Sequence, residues 1–452
     1  MSSFRKERLV VIGGGAAGLS AASRGRRIKP SLDITLIEKS NYAGAALCSL
    51  PLAIEGSIPP EKTFVKPITY FTKDLGINVM NGREVLSIER NQHLVNILSA
   101  IDGRMEKVPF DKLILALGAK PKLPNIQNIS NKKNIFSIRS LDETLRLLKF
   151  IEDNKSRHAV IIGCGIHGVS MAYALRKRGM DVLIIESEQN PFEQFIEDIR
   201  KSILEEIYTA GIKLMTGCRV FEACGREYAE SLLTDNGVIN ADIILPASGF
   251  SPATEIARDA GIACTEDGFI LSDDFQMTND FDVLACGDCA TVKCIITGKR
   301  INHPTAALAS RAGYFAGQNA AGLHKPFTGT TRTRLVNLGD YHFGTAGLTS
   351  QQARREGYDI IESTVTAPVK PPRLSEEMMT LHLVFNRKNG RLLGAQAGGC
   401  CAVRSELDLV SLALQHGMGA EDLAFFEPAY VPQLFNILHP IHYAARKALR
   451  EI

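Results

Sequence analysis

At 452 residues with 45% hydrophobic side chains, the chain is too large for one core and is expected to divide into about two to four domains. Its net charge of +3 gives no basis for a nucleic-acid partner, and no run of about 18 apolar residues is present to span a membrane. Ten cysteines at irregular spacing do not make a disulfide framework, so most are expected to be reduced and the chain to be cytoplasmic.

The basic start Arg5-Lys6-Glu7-Arg8 imitates a secretion signal. The apolar run after it, Leu9-Val10-Val11-Ile12, instead leads straight into Gly13-Gly14-Gly15-Ala16-Ala17-Gly18, and Arg24-Gly25-Arg26-Arg27 follows where a cleavage region needs small neutral residues. Strand, glycine turn and a helical pattern over 19–27 make a pyrophosphate cradle. Gly13 permits the tight turn, Gly15 lets backbone amides approach the phosphates, and Gly18 lets helix pack on strand. The next strand, Ile34-Thr35-Leu36-Ile37, ends at Glu38 and Lys39, about 20 residues on, where an acid takes the ribose hydroxyls. A solitary cysteine, Cys48, then stands ahead of a proline-containing helix start, and reads either as a redox thiol or as a buried structural cysteine. The apolar strand Leu113-Ile114-Leu115, closed by Ala116-Leu117-Gly118, ends a first unit over 1–118.

A second fingerprint, Gly163-Cys164-Gly165-Ile166-His167-Gly168, lies about 150 residues after the first and repeats its plan. The strand His158-Ala159-Val160-Ile161-Ile162 precedes it, a helical pattern over 169–178 follows, and Glu186 closes the strand Val182-Leu183-Ile184-Ile185. Two complete units of this kind predict two dinucleotide sites. The neighbours of Glu186 are Ser187 and Glu188 rather than arginine, and a carboxylate repels a 2'-phosphate, so NADH is expected in preference to NADPH. This inserted unit, 119–249, ends in Ile243-Ile244-Leu245-Pro246-Ala247-Ser248-Gly249.

The chain then returns to complete the first unit over 250–326, with the strand Val283-Leu284-Ala285-Cys286-Gly287-Asp288 and a helical pattern over 305–321. Cys286, Cys289 and Cys294 have ligand-like spacing, but no fourth ligand is evident and no metal is expected. From 327 to 452 the texture changes to strand-like segments at 334–340, 379–385 and 392–397, then helical patterns at 405–416 and 441–450. Cys400-Cys401 is a vicinal pair there, open to reading as an electron relay, a soft-metal site or a tolerated turn. The expected fold is α/β, with two Rossmann-like dinucleotide-binding domains and a C-terminal α+β domain.

With both fingerprints, the Gly287-Asp288 strand and Cys48 in place, nearly the whole chain resembles the flavin-dependent pyridine nucleotide-disulfide oxidoreductases. Within them it is similar to the single-cysteine branch of coenzyme A-disulfide reductases, NADH oxidases and NADH peroxidases. The resemblance implies an FAD domain, with Asp288 on the ribityl chain, an inserted NAD domain and a dimerisation domain that makes a homodimer. It also implies a route in which NADH reduces the flavin and the flavin reduces a sulfur bond held by Cys48. Disulfide-active relatives carry a second cysteine where this chain has Ala43, so Cys48 works alone through a mixed disulfide or a sulfenic acid. A helix start beside the flavin is expected to lower the thiol's pKa.

The oxidases and peroxidases look to a histidine in the first glycine loop; the residue here is Ala16, as in the reductases. Arg24, Arg26 and Arg27 match the region where the reductases hold coenzyme A phosphates, although a cationic helix end is also an ordinary solvated one. Tyr430, in Phe425-Phe426-Glu427-Pro428-Ala429-Tyr430-Val431-Pro432, falls on the tyrosine that reaches across the dimer, either as a hydrogen-bond donor or as a packed aromatic. His439 takes the place of an acid. The chain departs from the reductase phrase at Gly44, Ala45, Leu47 and Leu52, and from the usual pattern at Leu117 and Ser170, which makes the cysteine site more apolar and roomier. The expectation is reduction of a small disulfide, persulfide or polysulfide, with coenzyme A disulfide the leading candidate. The rivals are an oxidase or peroxidase cycling through sulfenic acid, and an electron-transfer flavoprotein serving a protein partner.

Overall fold

Two parallel sheets and one antiparallel sheet organise the protein, whose computed structural model describes residues 5–452. In the first sheet the strand Arg8–Ile12 lies between Asp33–Ile37 and Lys112–Leu115, with Asn78–Met80 and Val283–Ala285 outermost. All four pairings are parallel. Leu9, Val11, Leu36 and Ile114 are fully buried there, the continuous apolar pattern of strands covered on both faces. Each such side chain contributes roughly 1.5–3 kcal/mol relative to exposure.

The second sheet repeats this plan with His158–Ile162 between Asp181–Ile185 and Ile243–Pro246, and Lys213–Met215 beyond. The chain leaves and re-enters the first unit through a short antiparallel pair, Ala119–Pro121 with Phe250–Pro252. The C-terminal sheet is antiparallel, in the order Arg334–Leu338, Tyr341–Gly347, Leu392–Gly399, Met378–Asn386, Ile360–Pro368. The strands Tyr341–Gly347 and Ile360–Pro368 carry no clean alternation and are additions to the pattern read from the sequence. The helices Val403–His416 and Pro440–Ala448 cover this sheet's core.

Two features set the position of the site. The helix Ala16–Ile28 packs closely on Ala306–Ala320 because Gly313 and Gly317 lie where a Cβ would collide with the carbonyls of Ala17 and Ala21. The short helix Leu50–Glu55, which follows Cys48, buries Leu50 and Ile54 in one cluster with Val169 and Ile203 of the inserted unit and Phe343 of the C-terminal unit. Arg178 of the inserted unit donates to the carbonyl of Ile54 at 3.1 Å, which fixes the end of that helix. Among the described residues no helix is long and apolar enough to cross a membrane.

Candidate active site

The two glycine turns share one geometry. Gly13 and Gly163 have φ of 103° and 113°, and a Cβ on either would run into the carbonyl of Ala116 or Ala247, just past the end of the neighbouring strand. Gly18 and Gly168 each lie against the carbonyl of Gly13 or Gly163, so helix and turn touch only because no side chain intervenes. Gly15 and Gly165, at the helix N-termini, differ: a Cβ there meets nothing within 4 Å. Their helices carry no acid in the first turn, which leaves both N-termini open to an anion.

The acids behave alike as well. The Glu38 carboxylate accepts from the amides of Gly14 (2.6 Å) and Ser40 (2.7 Å), and the Glu186 carboxylate from those of Cys164 (2.7 Å) and Glu188 (3.0 Å). Each is thereby held beside its turn. Lys39 points to a different role, in a surface ion pair with Glu84 at 2.6 Å. Ala16 opens its helix, and Ala17 is buried against Gly287, bringing the Gly287-Asp288 strand to the first turn. Gly118, with φ of 68°, has open space around its Cα.

Gly163, Gly165, Ile166, His167 and Glu186 line a cavity of about 660 Å³. The same cavity takes Arg139, from the segment between the sheets, and Arg219, which follows the strand Lys213–Met215 beside Asp181–Ile185. Arg219, 33 positions along the chain from Glu186 (219 less 186), thus joins the same cavity from a neighbouring strand's loop, an arginine that the immediate neighbours Ser187 and Glu188 do not reveal. Burial, together with the charge of Arg139, pulls His167 down to about 4, so its ring is neutral at neutral pH. Burial pushes the Cys164 thiol up to about 12, with Glu186 adding to it, so this cysteine is inert.

Cys48 is exposed, on the single turn Leu47–Ser49. Its loop is bound directly to the first glycine turn, since the amide of Gly44 donates to the carbonyl of Gly14 at 2.9 Å. Its chain neighbours Leu47 and Leu52 are exposed apolar side chains. Burial pushes the Cys48 thiol up despite the residue's open face, because much of its surroundings is protein; the Asp288 carboxylate adds to the rise, while the residue's own amide and Arg139 oppose it. The protein's own groups therefore do not supply the lowering expected of a helix start beside the flavin: burial and Asp288 raise the thiol, and the helix behind Cys48 has only six residues.

Asp288 is itself raised by burial, against the pull of Arg139 and Arg334, and lies 3.8 Å from the Arg139 guanidinium. Arg139 thus stands between the thiol, the Gly287-Asp288 strand and the second cavity. Its Nε is buried without a hydrogen-bond partner, as is Nε2 of Gln276, which lines a small recess with Asp288. Open glycine turns, anchored acids and orphaned donors fit a dinucleotide at each turn.

The three arginines do not act together. Arg26 donates to the carbonyls of Leu75 (2.8 Å), Pro30 (2.7 Å), Leu32 (2.5 Å) and Gly76 (2.9 Å), so its guanidinium belongs to the fold. Arg24 lies 4.2 Å over the ring of Tyr314, and Arg27 donates to the Tyr70 hydroxyl at 2.7 Å, with Lys66 5.7 Å from the same ring. Tyr430 lines a separate, mostly apolar cleft of about 680 Å³ with Leu434, Phe435 and His439, and is not in the same cavity as Cys48 within one chain. His439 meets the fully buried Glu406 at 3.1 Å. Cys286 and Cys289 are buried with raised thiols, and among the described residues no group of three His, Cys, Asp or Glu side chains is placed to hold a metal.

Comparison with known proteins gives a consistent result. Residues 7–313 match the family model described as pyridine nucleotide-disulphide oxidoreductase, and 335–438 match that family's dimerisation domain. An NAD(P)H sulfur oxidoreductase (CoA-dependent) from Pyrococcus furiosus is 32% identical over 445 residues, covering 98% of this chain and 99% of that protein. An NADH oxidase from Methanocaldococcus jannaschii is 28% identical over 451 residues, covering 98% and 99%. The solved structure of an NAD-dependent persulfide reductase from A. fulgidus superimposes with a TM-score of 0.92 at 29% identity, covering 98% of this chain and 83% of that one.

Proposed function

Because the chain belongs to the pyridine nucleotide-disulphide oxidoreductases, which use a flavin and NAD(P)H, we propose that it is an FAD-dependent, NADH-preferring homodimeric reductase of a small disulfide, persulfide or polysulfide. Coenzyme A disulfide is the leading substrate, and Cys48 carries the reaction. The observation that supports this most is the exposed Cys48, tied through Gly44 to the first glycine turn and within electrostatic reach of Asp288 and Arg139.

In this reading Gly13, Gly15, Gly18, Glu38 and Asp288 hold FAD, and Gly163, Gly165, Gly168 and Glu186 hold the nicotinamide nucleotide, with the Glu186 carboxylate favouring a free 2'-hydroxyl. FAD, when bound, supplies the electron pair, taken as hydride from NADH, that breaks the sulfur bond held by Cys48. The thiolate of Cys48 attacks one sulfur of the substrate, expels the other half as a thiolate and keeps the first half as a mixed disulfide. Arg139 favours the thiolate, while burial and Asp288 oppose it. Exposed Leu47 and Leu52 give an apolar approach suited to sulfur chains as well as to a thiol's pantetheine-like arm. Arg24 with Tyr314 and Arg27 with Tyr70 supply cations and aromatic faces for a nucleotide's phosphates and base. Tyr430, across the homodimer, donates to the leaving thiolate. Free thiols throughout suit a cytoplasmic setting.

The test is NADH oxidation driven by coenzyme A disulfide, in the natural protein and in Cys48→Ser. Loss of turnover in Cys48→Ser with flavin retained supports the reading; equal turnover in both sinks it. The name of the Methanocaldococcus jannaschii relative gives the oxidase alternative its support, and Ala16 in the first loop stands against it. Oxygen uptake at an electrode, matching the rate of NADH loss, would make the oxidase reading the right one.

A further inference from the structure

Of the ten cysteines, two are exposed: Cys48 and Cys401. The neighbour of Cys401 is also a cysteine, and the fold holds the pair at a defined place. The buried strand Leu392–Gly399 ends at Gly399, whose φ of 152° and contact with Met379 exclude a side chain, and the helix Val403–His416 begins four residues later. Between them Cys400 packs half-buried against the C-terminal core while Cys401 faces outward. The amides of Val403 and Arg404 donate to the carbonyls of Cys400 (3.1 Å) and Cys401 (3.3 Å), so the turn is hydrogen-bonded. Lys370, paired with Glu377 at 2.8 Å, brings an ammonium within electrostatic reach of both sulfurs, while burial and the Glu377 carboxylate push the Cys400 thiol up. An accessible thiol with a cation and a second thiol beside it has the parts needed for two-step exchange.

We propose that Cys401 and Cys400 form a second thiol–disulfide exchange site for low-molecular-weight disulfides, with Cys401 attacking and Cys400 resolving. The Cys401 thiolate bonds to one sulfur of the disulfide and expels the other half as a thiolate. The Cys400 thiolate then attacks the Cys401 sulfur, expels the second half, and leaves a Cys400–Cys401 disulfide. The substrate gains two electrons and the cysteine pair loses two; two equivalents of a low-molecular-weight thiol, such as coenzyme A, restore the dithiol and become a disulfide. The proposal rests on the sulfur-reductase reading only for the recycling of that thiol at Cys48. Adjacent Cα atoms lie about 3.8 Å apart, below the roughly 4.4–6.8 Å usual for a disulfide, so the bond is strained and easily reduced again. Its natural position is that of a transient relay.

The test uses the flavin-loaded Cys48→Ser protein, reduced and then treated with 5,5'-dithiobis(2-nitrobenzoate), with mass mapping of the peptide that spans both cysteines. The expected product is that peptide two hydrogens lighter, with no adduct. Cys400→Ser in the same background should instead retain one nitrothiobenzoate on Cys401. A retained adduct with both cysteines present, or a peptide that does not react, overturns the proposal. Since Cys48 is absent throughout, neither result depends on whether Cys48 reduces a disulfide.

Discussion

Replacing Gly165 by alanine should weaken the nicotinamide nucleotide without harming the fold. The backbone at Gly165 has φ −77° and ψ 174°, extended values that alanine adopts freely, and its Cβ meets no protein atom within 4 Å. Stability should therefore hold or rise by about 0.4–1 kcal/mol, from a stiffer unfolded chain. The methyl group projects instead into the space at the N-terminus of the helix Ile166–Lys177, where a pyrophosphate must approach the amides. Displacing one charge-assisted hydrogen bond costs about 1.5–3 kcal/mol. At 1.4 kcal/mol per tenfold, binding should weaken roughly 10- to 100-fold. Titration calorimetry with NADH, flavin absorbance and thermal unfolding read the three quantities separately, and flavin content should be unchanged. Gly168→Ala is the contrast, because its Cβ would collide with the Gly163 carbonyl and the fold itself should suffer. An unchanged Kd for NADH in Gly165→Ala, or instability equal to that of Gly168→Ala, would refute the reasoning.

Three more outcomes follow from the same geometry. In flavin-free protein the alkylation of Cys48 should rise with pH through a midpoint above the ordinary thiol value, because burial and then Asp288 disfavour the thiolate. Asp288→Asn should move that midpoint down and Arg139→Gln should move it up, measured by iodoacetamide rates; shifts of the opposite sign would contradict the assignment. Arg219→Ala should raise KM for NADPH more than KM for NADH, since a 2'-phosphate gains most from the guanidinium in that cavity; steady-state kinetics with both nucleotides decide it.

What the sequence disclosed well was local. Each cradle is a strand, a turn and a helix in direct succession, so the glycine spacing and the apolar runs were enough to find both, and the acids close the very next strand. The antiparallel C-terminal sheet was only partly legible, because Tyr341–Gly347 and Ile360–Pro368 mix buried and exposed positions without clean alternation. Groups brought in by tertiary structure were missed: Arg139 comes from the segment between two sheets, Arg219 from a neighbouring strand's loop, and Tyr314 and Tyr70 from elements that pack beside Arg24 and Arg27. Helical geometry separates the arginines that stand close together in the sequence. Successive residues turn by about 100°, so Arg24 and Arg27 share a side while Arg26 faces the carbonyls at 30–32 and 75–76. For Cys48, the sequence showed a helix start but neither its short length nor the carboxylate of Asp288 nearby.

Whether Cys48 passes electrons to a sulfur bond is best decided by anaerobic titration of the flavoprotein with NADH, paired with mass spectrometry of the intact chain before and after reduction. The account predicts that Cys48 can be loaded with a thiol adduct the size of coenzyme A, and that two electron equivalents per flavin beyond those held by the flavin itself remove it. A Cys48 that accepts no adduct, with electrons taken up by the flavin alone, would contradict the account and favour electron transfer to a protein partner.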